Sequence, residues 1–527
     1  MASVNAIALA RKSFSRVIKV TTVSAAVIVF GISVSILVAP VNGTAIEARG
    51  ASSKLSTAAL PDDQSITLQQ PLHRSREPTL VESASVTEAP AERSASNATL
   101  AETVAASGLE PAKGIGSTVS LEPDAASTTF AQLAPPSPSP PAPTAAQGVS
   151  GQEIRFGMVG PFSGPSRQLG VQMRVGIETA FRSANEAGGI NGRRITLAVA
   201  DDGYDPARTP EAMRQLLDKD QVFGFIGNVG TPTAAVALPI VLSRQMLFFG
   251  AFSGASLLRG DPPDHFVFNF RASYVEETAA TVRYLVRTQR LKPDQIAVFA
   301  QQDGYGDAGF EGIVKAVRQL RTAGSGDQGT VTVRMNYKRN TVDVDDAVQQ
   351  LALYQKKHPN NPIRAVVMVA TYRAAAKFVE RTLDQLPGLI YTNLSFVGSS
   401  SLAEELTILG SRFVQGVIVT QVVPSIDSYA RVVLNYKAAL AKHFSSEVPD
   451  FVSFEGYLAA NMLIEGLRRA EPVLDTERLI DALEKLKDVD FGLGTSASFS
   501  RTEHQALHRV WGTQIDAKGK FIPLDLD

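Results

Sequence analysis

Three arrangements in the chain have the residue types and spacing that catalysis or cofactor binding uses. Gly304-x-Gly306-x-x-Gly309 follows an apolar run and opens a helical pattern, the context in which glycines let a backbone approach a dinucleotide pyrophosphate. That chemistry also wants a ribose-binding acid about 20 residues on, at the end of the next strand. Here Asp327 precedes that strand, which ends in Tyr337-Lys338-Arg339, so the glycines read as a tight strand-to-helix turn. His504 and His508 have the i, i+4 spacing of a zinc helix, but Gln505 stands where the metalloprotease pattern has Glu, and the flanking LHRVWGTQI reads as a strand. The acidic pairs Asp201-Asp202 and Glu404-Glu405 have the composition of an acid-base dyad, but such pairs more often form solvated turns or helix starts. There is no G-x-S-x-G elbow and no P-loop. The 527 residues contain no cysteine, which excludes a thiol nucleophile, a thiolate zinc site and a disulfide framework. The sequence therefore sets out no enzyme active site and calls for no cofactor or metal.

Binding chemistry is better represented. After the apolar run VFGFIG come Asn228-Val229-Gly230-Thr231-Pro232-Thr233, where Thr231 reads as a helix N-cap and Pro232 as the first helical residue. Such a helix start presents free N–H groups and a positive dipole end to a carboxylate. After MLFFGA comes Phe252-Ser253-Gly254-Ala255-Ser256, after IAVFA comes Gln301-Gln302-Asp303-Gly304-Tyr305, and after AVVMVA comes Thr371-Tyr372. Tyrosines at two strand ends could clamp a small ligand or could pack at a surface.

These loops need a scaffold of alternating strands and helices, and the pattern supplies one. IRFGMV (154–159) is a strand, and Leu169, Met173, Ile177, Phe181 and Ala184 then mark one helix face, ended by Gly188-Gly189. Strands over 195–200, 222–227 and 246–251 alternate with helices starting at Pro210 and Pro232. After VFNF (267–270) a second series begins. Its helices are expected at 275–288, 308–321, 343–357 and 373–385, and its strands at 296–300, 330–337, 365–370 and 394–398. Alternation of this kind predicts an α/β fold with parallel sheets covered on both faces, and ligands of such sheets bind outside the carboxyl ends of the strands.

The N-terminal part reads differently. Of 37 aromatic residues only Phe14, Phe30 and Phe130 precede residue 151, so the core lies after it. Residues 20–46 carry no charge and follow Arg11, Lys12, Arg16 and Lys19. This predicts a basic cytoplasmic segment (1–19) and an apolar helix (20–41) that is either an uncleaved membrane anchor or a signal, with everything beyond it exported. Residues 42–150, with six prolines between Pro135 and Pro143, have the composition of a disordered tether. Charge is balanced, 51 Lys+Arg against 52 Asp+Glu, with no basic stripe for a nucleic acid.

Read in order, IRFGMVGPFSGPSRQLG, IETAFRSANEAGGINGRRITLAVADDGYDPARTPEAMRQLL, FIGNVGTPTAAVALPI, AVFAQQDGYGDAGFEGIVKAV and FEGYLAANMLIEGL resemble successive signatures of the type I periplasmic solute-binding proteins. The resemblance is to the leucine/isoleucine/valine-binding group of branched-chain amino-acid ABC transporters and covers nearly all of residues 153–527. It implies two lobes joined by three crossovers: 151–271 with 424–498, and 272–423 with 499–527. It also implies a ligand held by Thr231, Phe252, Ser253 and Gly254 from lobe 1 and closed upon by Tyr305 and Tyr372 from lobe 2, with Tyr274 and Glu276 beside the first crossover. The family acid that receives an ammonium aligns with Ser400. A buried ammonium without an anion is costly, so either Glu276 or Glu277 substitutes or the ligand is not an α-amino acid. The implied role is periplasmic capture of a small polar metabolite (amino acid, amide or related carboxylate) by cleft closure, with delivery to an ABC permease from an inner-membrane tether. The alternative is a membrane-tethered sensory module built on the same clamp. Limited proteolysis of the full-length chain is expected to cut first between about residues 47 and 150; early cleavage within 272–423 with that segment intact would contradict the division.

Overall fold

The computed structural model describes residues 146–320, 333–470 and 472–527. The apolar segment 20–41 and nearly all of the expected tether lie outside them, and among the described residues no helix is long and apolar enough to cross a membrane. Residues 146–150, placed by composition at the end of the tether, belong to the folded unit: the Gln147 side-chain amide donates to Leu217 O at 3.0 Å, and Val149 bridges Ile154.

The first half of the chain builds a five-stranded parallel sheet in the order β2-β1-β3-β4-β5. Its strands are β1 (Glu153–Gly160), β2 (Arg194–Asp201), β3 (Gly224–Ile226), β4 (Phe248–Phe249) and β5 (Val267–Phe268), connected through α1 (Arg167–Glu186), α2 (Thr209–Arg214) and α3 (Thr231–Ser243). After β5 come α4 (Tyr274–Arg283), β6 (Ile296–Gln301), α5 (Gly304–Gln319), β7 (Val333–Tyr337), α6 (Asp345–Lys357), β8 (Ala365–Val369), α7 (Tyr372–Leu383) and β9 (Ile390–Asn393). Then follow α8 (Ser399–Leu409), α9 (Ser411–Val414), β10 (Ile418–Gln421), α10 (Arg431–His443), α11 (Phe451–Ala470), α12 (Thr476–Glu484), β11 (Trp511–Ile515) and β12 (Phe521–Leu524). The second sheet has the order β12-β11-β10-β9-β8-β6-β7, parallel except for its β11 and β12 edge.

Helices α10 and α11 return to pack on α1, and β11 rejoins the second sheet, so the chain passes between the two sheets three times. The first and third passages pair as a short ladder, Asn269 N to His504 O at 2.7 Å and Ala506 N to Asn269 O at 2.8 Å. His504 is thereby accounted for: it stacks on Phe268 with 3.8 Å between centroids, and its Nδ1 lies 3.0 Å from Val267 O. No cluster able to hold a metal ion occurs among the described residues.

Two expectations are corrected. The apolar run 394–398 is not a strand; the strand is β9, four residues earlier, and Ser395–Val397 form a 3₁₀ turn ended by Gly398 at φ 79°. The N-cap of α3 is Gly230, at φ 106°, rather than Thr231, because a Cβ at residue 230 would lie 2.3 Å from the Tyr204 ring. The glycines of 304–309 do serve close packing. A Cβ at Gly306 would fall 1.9 Å from Gln301 O, and one at Gly309 2.6 Å from Val369 Cγ atoms.

The α1–α11 contact depends on reciprocal glycines: a Cβ on Gly176 would lie 1.9 Å from Ser453 O, and one on Gly456 2.6 Å from Met173 O. Helix propensity alone favours Gly176→Ala by about 1 kcal/mol, but here backbone must move to admit the methyl. The expected result is a net loss of about 2 kcal/mol, read by urea unfolding; a stabilised variant would show that the helices do not cross this closely.

Candidate functional site

The strand-end loops of both sheets meet at one seam. From the first sheet come Tyr204 after β2, Thr231 opening α3, and Phe252, Ser253 and Gly254 after β4; from the second come Tyr305 in α5, Tyr372 opening α7, and Phe396 in the turn after β9. Thr231, Phe252, Ser253, Tyr274, Tyr305 and Tyr372 are all buried.

Released from capping, the Thr231 hydroxyl lies 2.8 Å from that of Ser253, and the buried Tyr274 hydroxyl has no hydrogen-bond partner among the described residues. Gly254 has to be glycine, because a Cβ there would stand 2.5 Å from the Tyr274 ring. Across the seam, a Cβ on Gly304 would touch Thr231 Cγ2 at 3.7 Å, so the starts of α3 and α5 face each other. The Tyr305 hydroxyl, fully buried, has no hydrogen-bond partner, and burial raises its pKa well above the ordinary phenol value.

Five rings line the seam. Phe396 stacks on Phe252 with centroids 5.0 Å apart and planes at 29°, and approaches Tyr305 at 4.6 Å, Tyr204 at 6.1 Å and Tyr274 at 6.3 Å. At the rim, Tyr372 OH donates to Pro165 O at 2.5 Å and Asn340 Nδ2 donates to Gly203 O at 3.0 Å, while deeper in the seam Gln301 Nε2 donates to the buried Tyr204 OH at 3.1 Å.

Behind the rings lies a buried charge cluster. Arg271, in the first passage between the sheets, is 0% exposed and places Nη2 3.1 Å from Glu277 of α4 and Nη1 3.5 Å from Glu455 of α11. Its guanidinium also stands over the Phe252 ring, 4.9 Å from the centroid. Glu277 accepts from Ser395 N at 2.9 Å, Ser395 Oγ at 3.0 Å and Thr420 Oγ1 at 2.5 Å, which fixes the turn carrying Phe396. Arg259 joins the layers by donating to Ser253 O, Ala255 O, Arg271 O and Gln505 Oε1; burial brings its pKa down to about 10. Glu455 is pushed up to about 7, burial outweighing its attraction to Arg271. The longer 3.5 Å separation and the prior claim of Glu277 explain why.

The two acids expected near an ammonium are both engaged elsewhere. Glu276 closes a capping box with Ser273 and lies 2.7 Å from His508 Nδ1 and 2.8 Å from Gln505 Nε2. These bonds hold its pKa down to about 2 against the effect of burial and raise that of His508. Glu276 faces an outer cavity of about 640 Å³ beside Trp511, not the seam. Glu277 is saturated by Arg271, Ser395 and Thr420. Ser400 has a buried hydroxyl with no hydrogen-bond partner among the described residues; near it is Asp450, whose pKa burial raises and whose Oδ1 accepts from Val452 N at 2.7 Å and Ser453 N at 3.2 Å at the start of α11. Tyr204, Arg271, Phe396, Asp450 and Glu455 were not among the sequence candidates. Tyr204 follows β2 and was open to the strand-end rule, whereas the others carried no motif.

Two α/β layers joined by three passages, with their strand-end loops closed on a polar and aromatic seam, define a two-lobed ligand-binding protein. The chain belongs to the periplasmic binding protein family, which its residues 153–520 match, and it has the type I fold of that family. Over 383 residues it is 24% identical to the Leu/Ile/Val-binding protein BraC3 of Rhizobium johnstonii, covering 67% of this chain and 92% of that protein. The crystal structure of a possible leucine/isoleucine/valine-binding protein from Rhodopirellula baltica is 36% identical, with a TM-score of 0.66, over 73% of this chain and 99% of that one. The isoleucine complex of LivJ from Streptococcus pneumoniae, at 15% identity and TM-score 0.57, shares the fold. These relatives are binding proteins rather than enzymes.

A carboxyl with a raised folded pKa keeps its proton in the folded state after the unfolded chain has lost it. Stability therefore falls as pH rises from about 4.5 to about 7 and levels off above. Glu455→Gln removes that slope. Its stability relative to wild type is expected to be up to about 3 kcal/mol more favourable at pH 8 than at pH 4.5, read by urea unfolding at both; the opposite trend would mean that attraction to Arg271 outweighs burial.

Proposed function

We propose that this protein is an extracytoplasmic solute-binding protein that captures a small carboxylate or amide between two lobes, 151–271 with 424–498 and 272–423 with 499–527, and presents it to an ABC transporter permease. In this reading residues 20–41 tether it to the inner membrane. The observation that carries the ligand class is the start of α3, which no side chain caps, beside the paired Thr231 and Ser253 hydroxyls and facing the unpartnered Tyr305 hydroxyl from α5. An uncapped positive helix end favours an anion; the start of α5 is already capped by the Asp303 carboxylate, which accepts from Tyr305 N at 3.0 Å. Thr231, Phe252, Ser253, Gly254, Tyr274, Tyr305 and Tyr372 form the ligand set; Glu276 is outside it. Ser400 contributes through Asp450, which faces the ammonium where the ligand has one.

The names of the relatives support an amino-acid-like ligand, and the family supports transport. Sensing by the same clamp is the second reading, favoured by the length of the segment before residue 146; permease and ATPase genes beside this one would decide for transport, a kinase or cyclase gene for sensing. Thermal-shift screening of small metabolites is expected to find carboxylates or amides among the stabilising compounds. Thr231→Val is expected to weaken the best of them by roughly 1.5–3 kcal/mol, as for a hydrogen bond to a charged group. A ligand unaffected by that change, or a screen in which only cations stabilise, would overturn the anion site.

A further inference from the structure

We infer that the seam selects a flat ring: the preferred ligand is a planar aromatic carboxylate, and Phe396 is the residue that sets this preference. This rests on the solute-binding reading above and narrows its ligand class. Phe252 and Phe396 come from opposite sheets and lie nearly parallel, 5.0 Å between centroids and 29° between planes. Opening the seam until the two faces are about 7 Å apart admits a flat ring in van der Waals contact with both. A puckered ring or a branched aliphatic chain is too thick to meet both faces and gains none of the quadrupole attraction of stacked rings.

The ring faces are held rather than left to adapt. Glu277 fixes Ser395, the residue before Phe396, through its N–H and hydroxyl. Gly398, in a left-handed conformation, sets the end of the same turn against α1, where a Cβ would stand 2.7 Å from Leu169. Tyr305 and Tyr274 close the edges of the slot. Its polar end is set by chain connectivity: Ser253 follows Phe252 directly, and its hydroxyl is 2.8 Å from that of Thr231. A carboxylate attached to a ring stacked on Phe252 is therefore received by Ser253, Thr231 and the start of α3, with the unpartnered Tyr305 hydroxyl as a further donor. The Arg271 guanidinium over the same Phe252 ring adds positive potential behind that face.

The test uses pairs of equal polar chemistry that differ in flatness, titrated calorimetrically into the full-length chain: benzoate against cyclohexanecarboxylate, and phenylalanine against leucine. The aromatic member of at least one pair is expected to bind at least tenfold more tightly. Phe396→Leu, which keeps an apolar side chain but removes the flat face, is expected to bring that pair to within twofold by weakening the aromatic member alone. Phe252→Leu supplies the same comparison if Phe396→Leu does not fold. Equal or tighter binding of the aliphatic members overturns the inference, as does an aromatic preference that survives both substitutions. If neither pair binds while another small carboxylate stabilises the protein, ring selection fails and the solute-binding reading stands; if no small solute binds at all, both fail.

Discussion

Arg271 is the constraint on which the rest of the molecule is arranged. A guanidinium with no access to water is tolerable only where carboxylates and hydrogen bonds replace its hydration. Here one carboxylate comes from α4, packed against the second sheet, and the other from α11, packed against α1 and the first. The ion cluster therefore ties both layers to the first passage between them. Its effect reaches further through Glu277, which holds Arg271 and at the same time the turn that carries Phe396. Buried pairs of this kind are poor sources of net stability compared with apolar packing. What this one supplies is a fixed relation between the passage, the turn and the ring face.

The charges behind the seam nearly offset one another, so the proposed preference for an anion rests on the start of α3 and the seam hydroxyls. Arg259, half-buried, and Arg271, fully buried, face Glu276, Glu277 and a Glu455 whose pKa burial raises to about 7. Glu276, whose pKa is held at about 2 against burial by His508, Ser273 and Gln505, stands with Glu277 against the two guanidiniums, so the cluster stays close to balanced even while Glu455 holds its proton. On the Ser400 side stands Asp450, buried and already engaged by the backbone N–H groups that open α11. In the proposed reading, the carboxylate end of a ligand meets hydroxyls from both sheets, and an ammonium end would rest on the start of α11.

Periodicity and turn residues revealed most of the fold, because strands buried on both faces and amphipathic helices have distinct patterns. The run 394–398 misled because its apolar residues are buried for another reason: they form the turn that fills the seam. The strand-end rule located Thr231, Ser253, Gly254, Tyr305 and Tyr372, since topology alone places those positions together. It missed the role of Gly230 as the cap, which depends on the Tyr204 ring packed against it. Charged residues were the least legible. Glu276 and Glu277 are adjacent in sequence, yet one closes a capping box beside His508 and the other is sealed around Arg271. Nothing in their types or spacing separates a solvated face from a buried pair; only the tertiary partners do.

The contacts that cross the seam fall into two kinds, and the difference indicates how it opens. At the rim they are hydrogen bonds, Tyr372 to Pro165 and Asn340 to Gly203, with the partly exposed ion pair of Arg339 and Asp205. Each hydrogen bond is worth about 1 kcal/mol net and is readily exchanged for water. At the back they are the charge cluster and the paired ladder of the first and third passages, where exposing an ion would cost several times more. A motion that breaks the rim and spares the back is a rotation about Arg271. In the proposed reading such a rotation would carry Phe252 away from Phe396 while the bonds of Glu277 to Ser395 stay intact.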